Sequence, residues 1–522
     1  VSRRTFLTTS SAAVVGAAFA GLAAPSEAAM RRSGRGGTLK FGTRFDAAGL
    51  DSHRSNQYHT SHPIAAMYTS LTDINVKGEI VPGIAESWEP SKDLQTWIFR
   101  LRKGVLFHNG REVDAEAVKL NIERIKDPKI GTSWHRGTIK SINTVDIVDK
   151  YTVRFNLHKP DVSLPTNLMH YPTNLQAPEA FETASDHPIG TGPFKFVSWI
   201  RYNETKLVRF ENYWETDAEG NNLPYLDEIL GRPKREASVR LTALRTGQLN
   251  LIDNMAYADV DRFKKRYSDK FNIWPSHLGG VFVTFNWKSG PFQDKRLRQA
   301  GAHAIDRNAI HFSVFYGQGD MLDQPYPKGN QWHLEDTHGP EYDPDKAKFL
   351  IKQARAVGTP IKILSSANSA YNRECGEVVQ QMWSKVGFKA AVHPLASVPR
   401  REAYRKGDFH ASIQGNSYRF DPDSFYGRNL HSKSAYVQRL SGWHNARYDQ
   451  LVEDALRIVD PAKRKELYTE AWQIVNDELA QFHLHELTMT SAAVKELKGY
   501  RPCVVAPFTH SGGGIRTAYF DV

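Results

Sequence analysis

The chain has 522 residues, a length that corresponds to about three average domains or to two large lobes. Hydrophobic residues make up 40% and charged residues 24%, an ordinary globular composition that excludes a disordered or collagenous chain. The 68 Lys and Arg residues outnumber the 57 Asp and Glu residues and give a net charge of +11. No basic run with interleaved aromatic residues follows residue 36, which argues against nucleic acid as a partner.

The first 29 residues have the pattern of an export signal. The segment SRRTFL at 2–7 contains a twin arginine, and a mildly apolar stretch follows at 12–24. The small-residue sequence SEAA at 26–29 suits a signal peptidase. A membrane anchor is the alternative, but the apolar stretch has no core rich in Leu and Ile. The sequence therefore predicts a twin-arginine signal peptide over 1–29, the twin-arginine translocase as export partner, and a periplasmic protein.

Patterns of strands and helices alternate along the remaining chain. Residues 37–42 and 97–102 predict single strands, and 145–157 predicts a pair of strands. A helix is predicted over 114–125, with Asp114 as its N-cap. Further helices are predicted near 294–310, 343–357, 372–386, 446–458 and 461–480, with the N-caps Asp294, Asp343, Asn372, Asn445 and Asp460.

Sequence blocks that occur in a fixed order along nearly the whole mature chain carry a family resemblance. The blocks are AESW at 85–88, WIFRLRKGVLFHNG at 97–110, DAEAV at 114–118, GTGPF at 190–194, NYW at 212–214, LPYLD at 223–227, PFQDKRLRQA at 291–300, AIDR at 304–307, YDPDKA at 342–347 and WSKVGF at 383–388. Each block alone has little specificity, whereas the ordered set is strong. The chain resembles the extracellular solute-binding proteins, family 5, which are the peptide, nickel and opine type of periplasmic receptor of ABC importers.

The resemblance implies an α/β fold of two lobes, the type II, cluster C-like periplasmic-binding-protein fold, which closes over a solute like a clam shell. The extra subdomain of the first lobe would occupy 81–185. Most family residues are interpreted as scaffold, and Gly190 and Gly192 predict a tight turn. The expected boundaries are 37–80, 186–280 and 491–522 for lobe I, 281–490 for lobe II, and crossings near 281–286 and 482–490.

The function implied by the resemblance is that of a non-catalytic receptor. It would capture a small solute and deliver it to ABC permease subunits in the inner membrane, and we expect a monomer. The alternative is an exported hydrolase or metal-binding protein, but the chain lacks the GxSxG, HExxH and Walker motifs. No cofactor is expected, and no catalytic residue is assigned.

Histidines and cysteines offer further candidate sites. In the run HLHE at 483–486, His483 and His485 would share one face of a strand and could hold a metal, whereas packing at the hinge is the more common role. Cys375 and Cys503 allow no disulfide framework and are expected to be buried thiols in different lobes. The residues His53, His59 and His62 are interpreted as solvated loop histidines near the pocket opening.

The ligand class is inferred from a departure from the family pattern. In peptide-binding members, an Asp shortly before an Asp-Pro pair anchors the ligand's α-amino group. Alignment on Asp421-Pro422 places Tyr418 at that position, with Arg419 beside it. Because an unpaired ammonium in a cleft is costly, the sequence disfavours an ordinary peptide. Arg419 and Arg373 would instead bind a carboxylate through forked hydrogen bonds, although surface salt bridges are the alternative for both.

Aromatic residues supply the other candidate contacts. Trp383 has helical spacing and is predicted to lie in the core. Trp287 and Trp443, like Tyr418, fall in loops or at crossings, so they are the aromatic candidates for the cleft. An aromatic cleft suits a solute with an apolar or ring-containing body.

Overall fold

The computed structural model describes residues 35–55, 65–417, 420–503 and 508–521. The predicted signal peptide at 1–29 lies outside the described residues, as do Tyr418, Arg419, His59 and His62. Within the described ranges, every helix is too short or too polar to cross a membrane.

Strands of the described residues form one ten-stranded sheet, one four-stranded sheet and three two-stranded ribbons. The strands are β1 (Thr38–Thr43), β2 (Thr72–Ile74), β3 (Ile80–Pro82), β4 (Ala85–Pro90), β5 (Thr96–Leu101), β6 (Ile142–Asp149), β7 (Thr152–Leu157), β8 (Phe194–Ile200), β9 (Glu204–Arg209), β10 (Glu228–Pro233), β11 (Leu251–Ile252), β12 (Phe271–Phe285), β13 (Pro360–Ser366), β14 (Lys389–Leu395), β15 (Ala411–Ser417), β16 (Gln481–Val494), β17 (Leu497–Lys498), β18 (Thr509–His510), β19 (Gly513–Gly514) and β20 (Tyr519–Phe520). The large sheet has the order β14-β13-β15-β12-β16-β11-β1-β10-β9-β8.

Helices of the described residues occur in both halves of the chain. They are α1 (Ala115–Lys126), α2 (Ser133–Thr138), α3 (Leu164–Asn167), α4 (Ala237–Arg245), α5 (Tyr257–Tyr267), α6 (Lys295–His303), α7 (Arg307–Ser313), α8 (Pro344–Gln353), α9 (Ala370–Lys385), α10 (Ser397–Lys406), α11 (Asp423–Asn429), α12 (Ala435–Arg439), α13 (Ala446–Ala455) and α14 (Pro461–Glu478). Short 3₁₀ turns occupy Tyr171–Thr173, Pro178–Ala180 and Pro291–Gln293.

Five predicted N-caps are confirmed. In each of them the side-chain oxygen accepts a hydrogen bond from a backbone N–H of the first turn, which satisfies a donor that the helix itself leaves open. These caps are Asp114, Asp294, Asp343, Asn445 and Asp460.

Two helix predictions are wrong. The helix expected over 294–310 is split, because Asp306 caps a second helix, α7, by accepting from the N–H groups of Asn308 and Ala309. Asn372 is not a cap but lies inside α9, which begins after Ser369. The Asn372 side chain is buried there, and its Oδ1 accepts from the Ser366 N–H at 2.6 Å. The sequence pattern does not distinguish an Asn that hydrogen-bonds a neighbouring strand from an Asn that caps its own helix.

Two long antiparallel strands, β12 and β16, form the centre of the large sheet. Their register runs from Phe271 opposite Val494 to Thr284 opposite Gln481. The second half of β12 pairs with β15, whereas the last part of β16 pairs with β11. These two strands therefore connect the two halves of the sheet, in the region where crossings are expected. Gly279 lies at a β-bulge there, and a Cβ on it would stand 1.6 Å from the Asn416 carbonyl oxygen.

The four-stranded sheet β4-β5-β7-β6 has its own hydrophobic core. Buried side chains between Leu71 and Ala180 form this core, and α1 contributes Val118 and Ile122 to it. Gly190 and Gly192 lie where the chain returns from this region. A Cβ would lie 2.1 Å from the Met67 carbonyl oxygen at Gly190 and 2.5 Å from the Tyr68 nitrogen at Gly192. Close approach of two backbone segments, rather than a turn alone, requires these glycines.

Candidate functional site

An arginine–aromatic cluster lies where the 81–185 region meets the second half of the chain. Trp134 of α2 contributes an aromatic face from the 81–185 side, and its ring lies 4.8 Å from the guanidinium carbon of Arg428 on α11. We define the cluster by the residues Arg44, Trp134, Tyr371, Arg400, Tyr404, Gln414, Arg428, Tyr436 and Arg439.

A chain of hydrogen bonds holds the phenol groups of the cluster in place. The Tyr436 hydroxyl donates to Gln414 Oε1 at 3.4 Å, and Gln414 Nε2 donates to the Tyr404 oxygen at 2.7 Å. The Tyr404 and Ser412 hydroxyl oxygens lie 2.8 Å apart. Because Gln414 and Ser412 belong to β15, the sheet fixes these phenols before any ligand arrives.

Guanidinium groups surround the phenol of Tyr436. Arg428 and Arg439 place their guanidinium carbons 5.9 Å and 6.0 Å from its ring centroid. Burial raises the pKa of Tyr436 well above its usual value, while the positive charges of Arg428, Arg439 and Arg400 act in the opposite direction. Burial also raises the pKa of Tyr371, where Arg400 and Arg44 oppose the shift. The positive charges of four guanidinium groups therefore act to lower the pKa values of two phenols.

Among the described residues, no carboxylate pairs with the arginines of the cluster. Within the described parts of the chain, none of Arg44, Arg400, Arg428 and Arg439 forms an ion pair. The basic groups that influence Tyr371 are Arg400 and Arg44, and those that influence Tyr436 are Arg428, Arg439 and Arg400. Arg428 is exposed as a whole residue, whereas burial of its guanidinium against Trp134 lowers its pKa. Such an arrangement can bind an anion by forked hydrogen bonds and an apolar body by ring faces.

The structure places the predicted tryptophans in or against hydrophobic cores. Trp443 is 1% exposed, and its indole N–H donates to Glu478 Oε2 at 2.5 Å. Trp287 packs against the same hydrophobic core, with the Arg298 guanidinium carbon 3.5 Å from its ring centroid. Trp383 is fully buried and donates to the Gly301 carbonyl oxygen, which confirms its predicted core position.

Arg373 is separate from these two tryptophans. It lies on the first turn of α9, its side chain is 43% exposed, and its Nε is 3.8 Å from Glu377 Oε1. This weak, exposed contact matches the surface alternative considered for Arg373. Tyr418 and Arg419 lie outside the described residues.

Sequence reasoning missed the arginines of the cluster. Arg428 and Arg439 lie in a stretch, 424–448, that contains no Asp or Glu. In a chain with 24% charged residues, a basic stretch without any carboxylate is a usable signal for an anion-binding surface. Arg44 and Arg400 carry no such signal, because only the fold brings them near Tyr371.

The histidines have structural surroundings. His483 packs face to face on Phe282, with ring centroids 5.0 Å apart, whereas His485 stacks on Phe315 and meets His311 at 2.8 Å. A bulge opposite Val281 and Phe282 interrupts the alternation of side chains along β16. The imidazoles of His483 and His485 therefore do not form the shared metal site that the sequence suggested. Burial lowers their pKa values to about 3 and about 4.

His53 is buried rather than solvated, which corrects the sequence interpretation. Its Nε2 lies 2.9 Å from the Asn174 carbonyl oxygen, and its Nδ1 lies 3.0 Å from Arg124 Nη1. Arg124 also makes a 2.7 Å ion pair with the buried Asp51. Across the described ranges, no group of three or more His, Cys, Asp and Glu residues has the arrangement of a metal site.

The thiols and the Asp-Pro pair are likewise part of the scaffold. Cys375 and Cys503 are both buried, and the Cys503 thiol donates to the Asn75 carbonyl oxygen. Asp421 forms a two-pronged ion pair with Arg464, with both N···O distances 2.8 Å and both side chains 5% exposed. This pair fixes the segment immediately after Arg419 to α14.

Comparisons with known proteins agree with this architecture. The family described as "Bacterial extracellular solute-binding proteins, family 5 Middle" matches residues 79–437, and the chain therefore belongs to this family. The chain is 30% identical over 495 residues to Di/tripeptide-binding protein 1 of Pseudomonas aeruginosa (strain UCBPP-PA14), covering 85% of this chain and 89% of the relative. It is 27% identical over 464 residues to Heme-binding protein A of Haemophilus influenzae, covering 82% of each chain.

Solved structures show the same fold. The periplasmic binding protein DppA from Helicobacter pylori, in complex with peptide STSA, superposes with a TM-score of 0.81 at 23% identity and covers 95% of this chain and 100% of its own. AgaA from A. tumefaciens R10, in complex with agropinic acid, gives a TM-score of 0.80 at 24% identity over 93% and 99%. The predicted two-lobed α/β periplasmic-binding-protein fold is confirmed, and the chain is a solute-binding receptor of the ABC-importer class.

Proposed function

We propose that this protein captures a small carboxylate-bearing solute, peptide-like or opine-like, between its lobes and delivers it to permease subunits in the inner membrane. The single observation that supports this choice is the arginine–aromatic cluster, in which Arg428 stacks on Trp134 from the other side of the cleft. The guanidinium groups would hold the carboxylate, and the rings of Trp134 and Tyr436 would contact the rest of the solute.

Closure of the lobes would occur about β12 and β16. The Val162 N–H donates to the Leu456 carbonyl oxygen at 3.1 Å, and the rings of His170 and Phe420 lie 6.1 Å apart. These contacts join the 81–185 region to the second lobe next to the cluster. A solute that binds Arg428 and Trp134 together would favour this closed arrangement by mass action.

The relatives bind solutes of compatible chemistry. Their printed names include di- and tripeptides, and one solved neighbour holds agropinic acid. A carboxylate is common to these ligands. The ligands of the relatives therefore support a site here that binds a carboxylate through guanidinium groups. We propose that Arg419 and Tyr418 add contacts to the solute. Trp287 and Trp443 pack in a hydrophobic core and Arg373 lies at the surface, so these three side chains are not part of the proposed contact set.

We also propose that the protein reaches the periplasm through the twin-arginine translocase and acts as a monomer. The SRRTFL sequence at 2–7 supports the twin-arginine export route. Replacement of Arg3 and Arg4 by Lys should retain the precursor in the cytoplasm, which fractionation and immunoblotting would detect. Normal periplasmic amounts of this variant would contradict the proposed route.

The receptor function is tested with protein purified from the periplasm. Calorimetry and thermal unfolding against a panel of carboxylates and short peptides should reveal a solute that binds and stabilises the fold without being converted. Arg419→Ala should weaken this binding by about 10- to 150-fold, the effect of losing one charge-assisted hydrogen bond. Conversion of a bound compound into a product would instead support the hydrolase alternative.

A further inference from the structure

A cavity in the second half of the chain is separate from the arginine–aromatic cluster. Its volume is about 650 Å³, and it lies between the start of α7 and the segment 320–342. Its described lining contains none of the cluster residues. Sites that hold small molecules commonly have volumes in this range. The cavity is therefore large enough for a small organic ligand.

Hydrogen bonds within the protein fix the wall of this cavity. The buried Gln324 side chain makes two of them with the Leu334 backbone, donating to its carbonyl oxygen and accepting from its N–H, both at 2.7 Å. Arg307 Nε donates to the His483 carbonyl oxygen at 2.8 Å, and its Nη1 donates to the Pro340 carbonyl oxygen at 3.2 Å. The wall is therefore in place before any ligand binds.

His333 lines the cavity with a hydrogen-bond acceptor that the protein does not use. Its side chain is only 10% exposed, and its Nδ1 lies 2.9 Å from the Tyr326 carbonyl oxygen. Because a carbonyl oxygen only accepts, Nδ1 carries the proton, and Nε2 of the neutral ring has a free lone pair. Among the described residues, no group donates to Nε2, and Glu335 Oε2 lies 4.0 Å from it. An acceptor beside a carboxylate is complementary to a cation that carries N–H groups.

Carboxylates outnumber cations on the cavity wall. Five carboxylates line it, against two Lys or Arg residues and two histidines. The carboxylates are those of Asp306, Asp320, Asp323, Glu335 and Glu341. They remain in excess even if both histidines are protonated. The net charge of the whole chain is +11, so general attraction between the protein and a cation is not expected, and the cavity reverses the sign locally.

We infer that this cavity is a second binding site, outside the cleft between the lobes, for a small organic cation with two ammonium groups. One ammonium would donate to His333 Nε2 and pair with Glu335, and the other would pair with a further carboxylate such as Glu341. An anion of the kind proposed for the cluster would be repelled here. The inference does not depend on which solute the cleft holds.

Three linear compounds of matched length test the charge requirement. Cadaverine has two ammonium groups, pentylamine has one, and 1,5-pentanediol has none. Calorimetry and thermal unfolding with the protein purified from the periplasm measure the binding of each. We expect cadaverine to bind and to stabilise the fold, and the diol not to bind. Pentylamine should bind about 2- to 30-fold more weakly than cadaverine, because it lacks ion pairs with exposed carboxylates.

Variants of the wall locate the site. His333→Phe removes the acceptor but keeps a ring, and it should weaken cadaverine binding about 10- to 150-fold. Glu335→Gln combined with Glu341→Gln removes two exposed charges, and it should weaken binding about 2- to 30-fold. Glu116→Gln combined with Glu123→Gln is the matched control, because these two exposed glutamates lie on α1 and do not line the cavity. If His333→Phe does not fold, the two double variants decide.

Arg428→Met distinguishes the cavity from the cleft. This substitution alters the cluster and not the cavity wall, so cadaverine should bind the variant as it binds the wild type. Loss of cadaverine binding would place the diamine in the cleft, and it would overturn the inference while leaving the receptor function intact. The inference also fails if about 10 mM cadaverine neither releases heat nor stabilises the protein, or if the diol binds as tightly. Equal affinity of the two glutamine double variants, with both shown folded by circular dichroism, would overturn it as well.

Discussion

Asp423 is the first residue of α11, and ionisation of its side-chain carboxyl group destabilises the folded state. Burial raises its pKa from 3.8 to about 6, and the neighbouring carboxylates of Asp161 and Asp421 add to the shift, while Lys140 and Lys159 oppose it. Because the folded-state pKa lies above the ordinary value, the ionised group destabilises the fold above about pH 6. This destabilisation disappears as the pH falls from about 6 towards 4.

Asp423→Asn should therefore raise the free energy of unfolding by up to about 3 kcal/mol at pH 7.5, since each pKa unit corresponds to about 1.4 kcal/mol. At pH 4 the same substitution should have little effect. Urea unfolding at the two pH values measures this difference. Asp345→Asn is the control, because its carboxylate is 88% exposed. An equal gain at both pH values would contradict the assignment.

The buried ion pair of Asp421 and Arg464 should behave in the opposite way. Arg464→Met leaves the Asp421 carboxylate buried without its partner, which should cost about 3–5 kcal/mol of folding free energy. Asp421→Leu combined with Arg464→Met removes both charges and should recover much of that loss. A double-mutant cycle from urea unfolding at neutral pH would measure the coupling, and additive losses in the double variant would refute it.

At the scale of secondary-structure elements, local signals predicted where elements begin better than where they end. Asp343 and Asp460 precede Pro344 and Pro461, so cap and proline together specify the first turns of α8 and α14. The end of α6 at His303 was missed, because Asp306 had no pattern that separated it from the preceding helix. The role of Asn372 was missed because its partners lie on β13 and β15, which no local pattern reveals.

The bulge of β12 at Gly279 gives a prediction at this scale. Gly279→Ala would place a methyl group 1.6 Å from the Asn416 carbonyl oxygen, so β12 and β15 must move apart. We expect a loss of about 1–3 kcal/mol in folding free energy, together with weaker solute binding, because the strand lies where we expect the hinge. Gly137→Ala is the matched control, since a Cβ there meets nothing within 4 Å. Thermal unfolding and calorimetry test both effects, and equal behaviour of the two variants would contradict them.

For the whole molecule, the ordered family blocks predicted the two-lobed fold, whereas the cluster was not predictable from them. The blocks contain scaffold residues such as Gly192 and Trp383, which make close contacts inside this fold. The cluster draws on α2, α9, α10, α11, α12 and β15 and on the segment after β1, so tertiary packing alone assembles it. Burial also separates the tryptophans, because position in the sequence did not distinguish Trp443, which lies in a core, from the half-buried Trp134.

Closure of the two lobes can be trapped chemically. The Val162 N–H donates to the Leu456 carbonyl oxygen at 3.1 Å, so these two backbones are close enough here for a disulfide to be tried. We expect them to separate when the lobes open. A Val162→Cys/Leu456→Cys variant should therefore form a disulfide faster when the solute is present. The native Cys375 and Cys503 are buried and should not interfere.

The rate of disulfide formation under mild oxidation is followed by thiol labelling and gel mobility, and small-angle scattering measures the accompanying fall in the radius of gyration. Adding Arg428→Met to the cysteine pair should abolish the solute's effect at concentrations that saturate the parent, because in the proposed binding mode Arg428 and Trp134 both contact the solute. The single Val162→Cys variant reports background oxidation. A bound solute that changes neither the oxidation rate nor the radius of gyration would mean that the cleft is already closed without it, and that binding does not drive the lobes together.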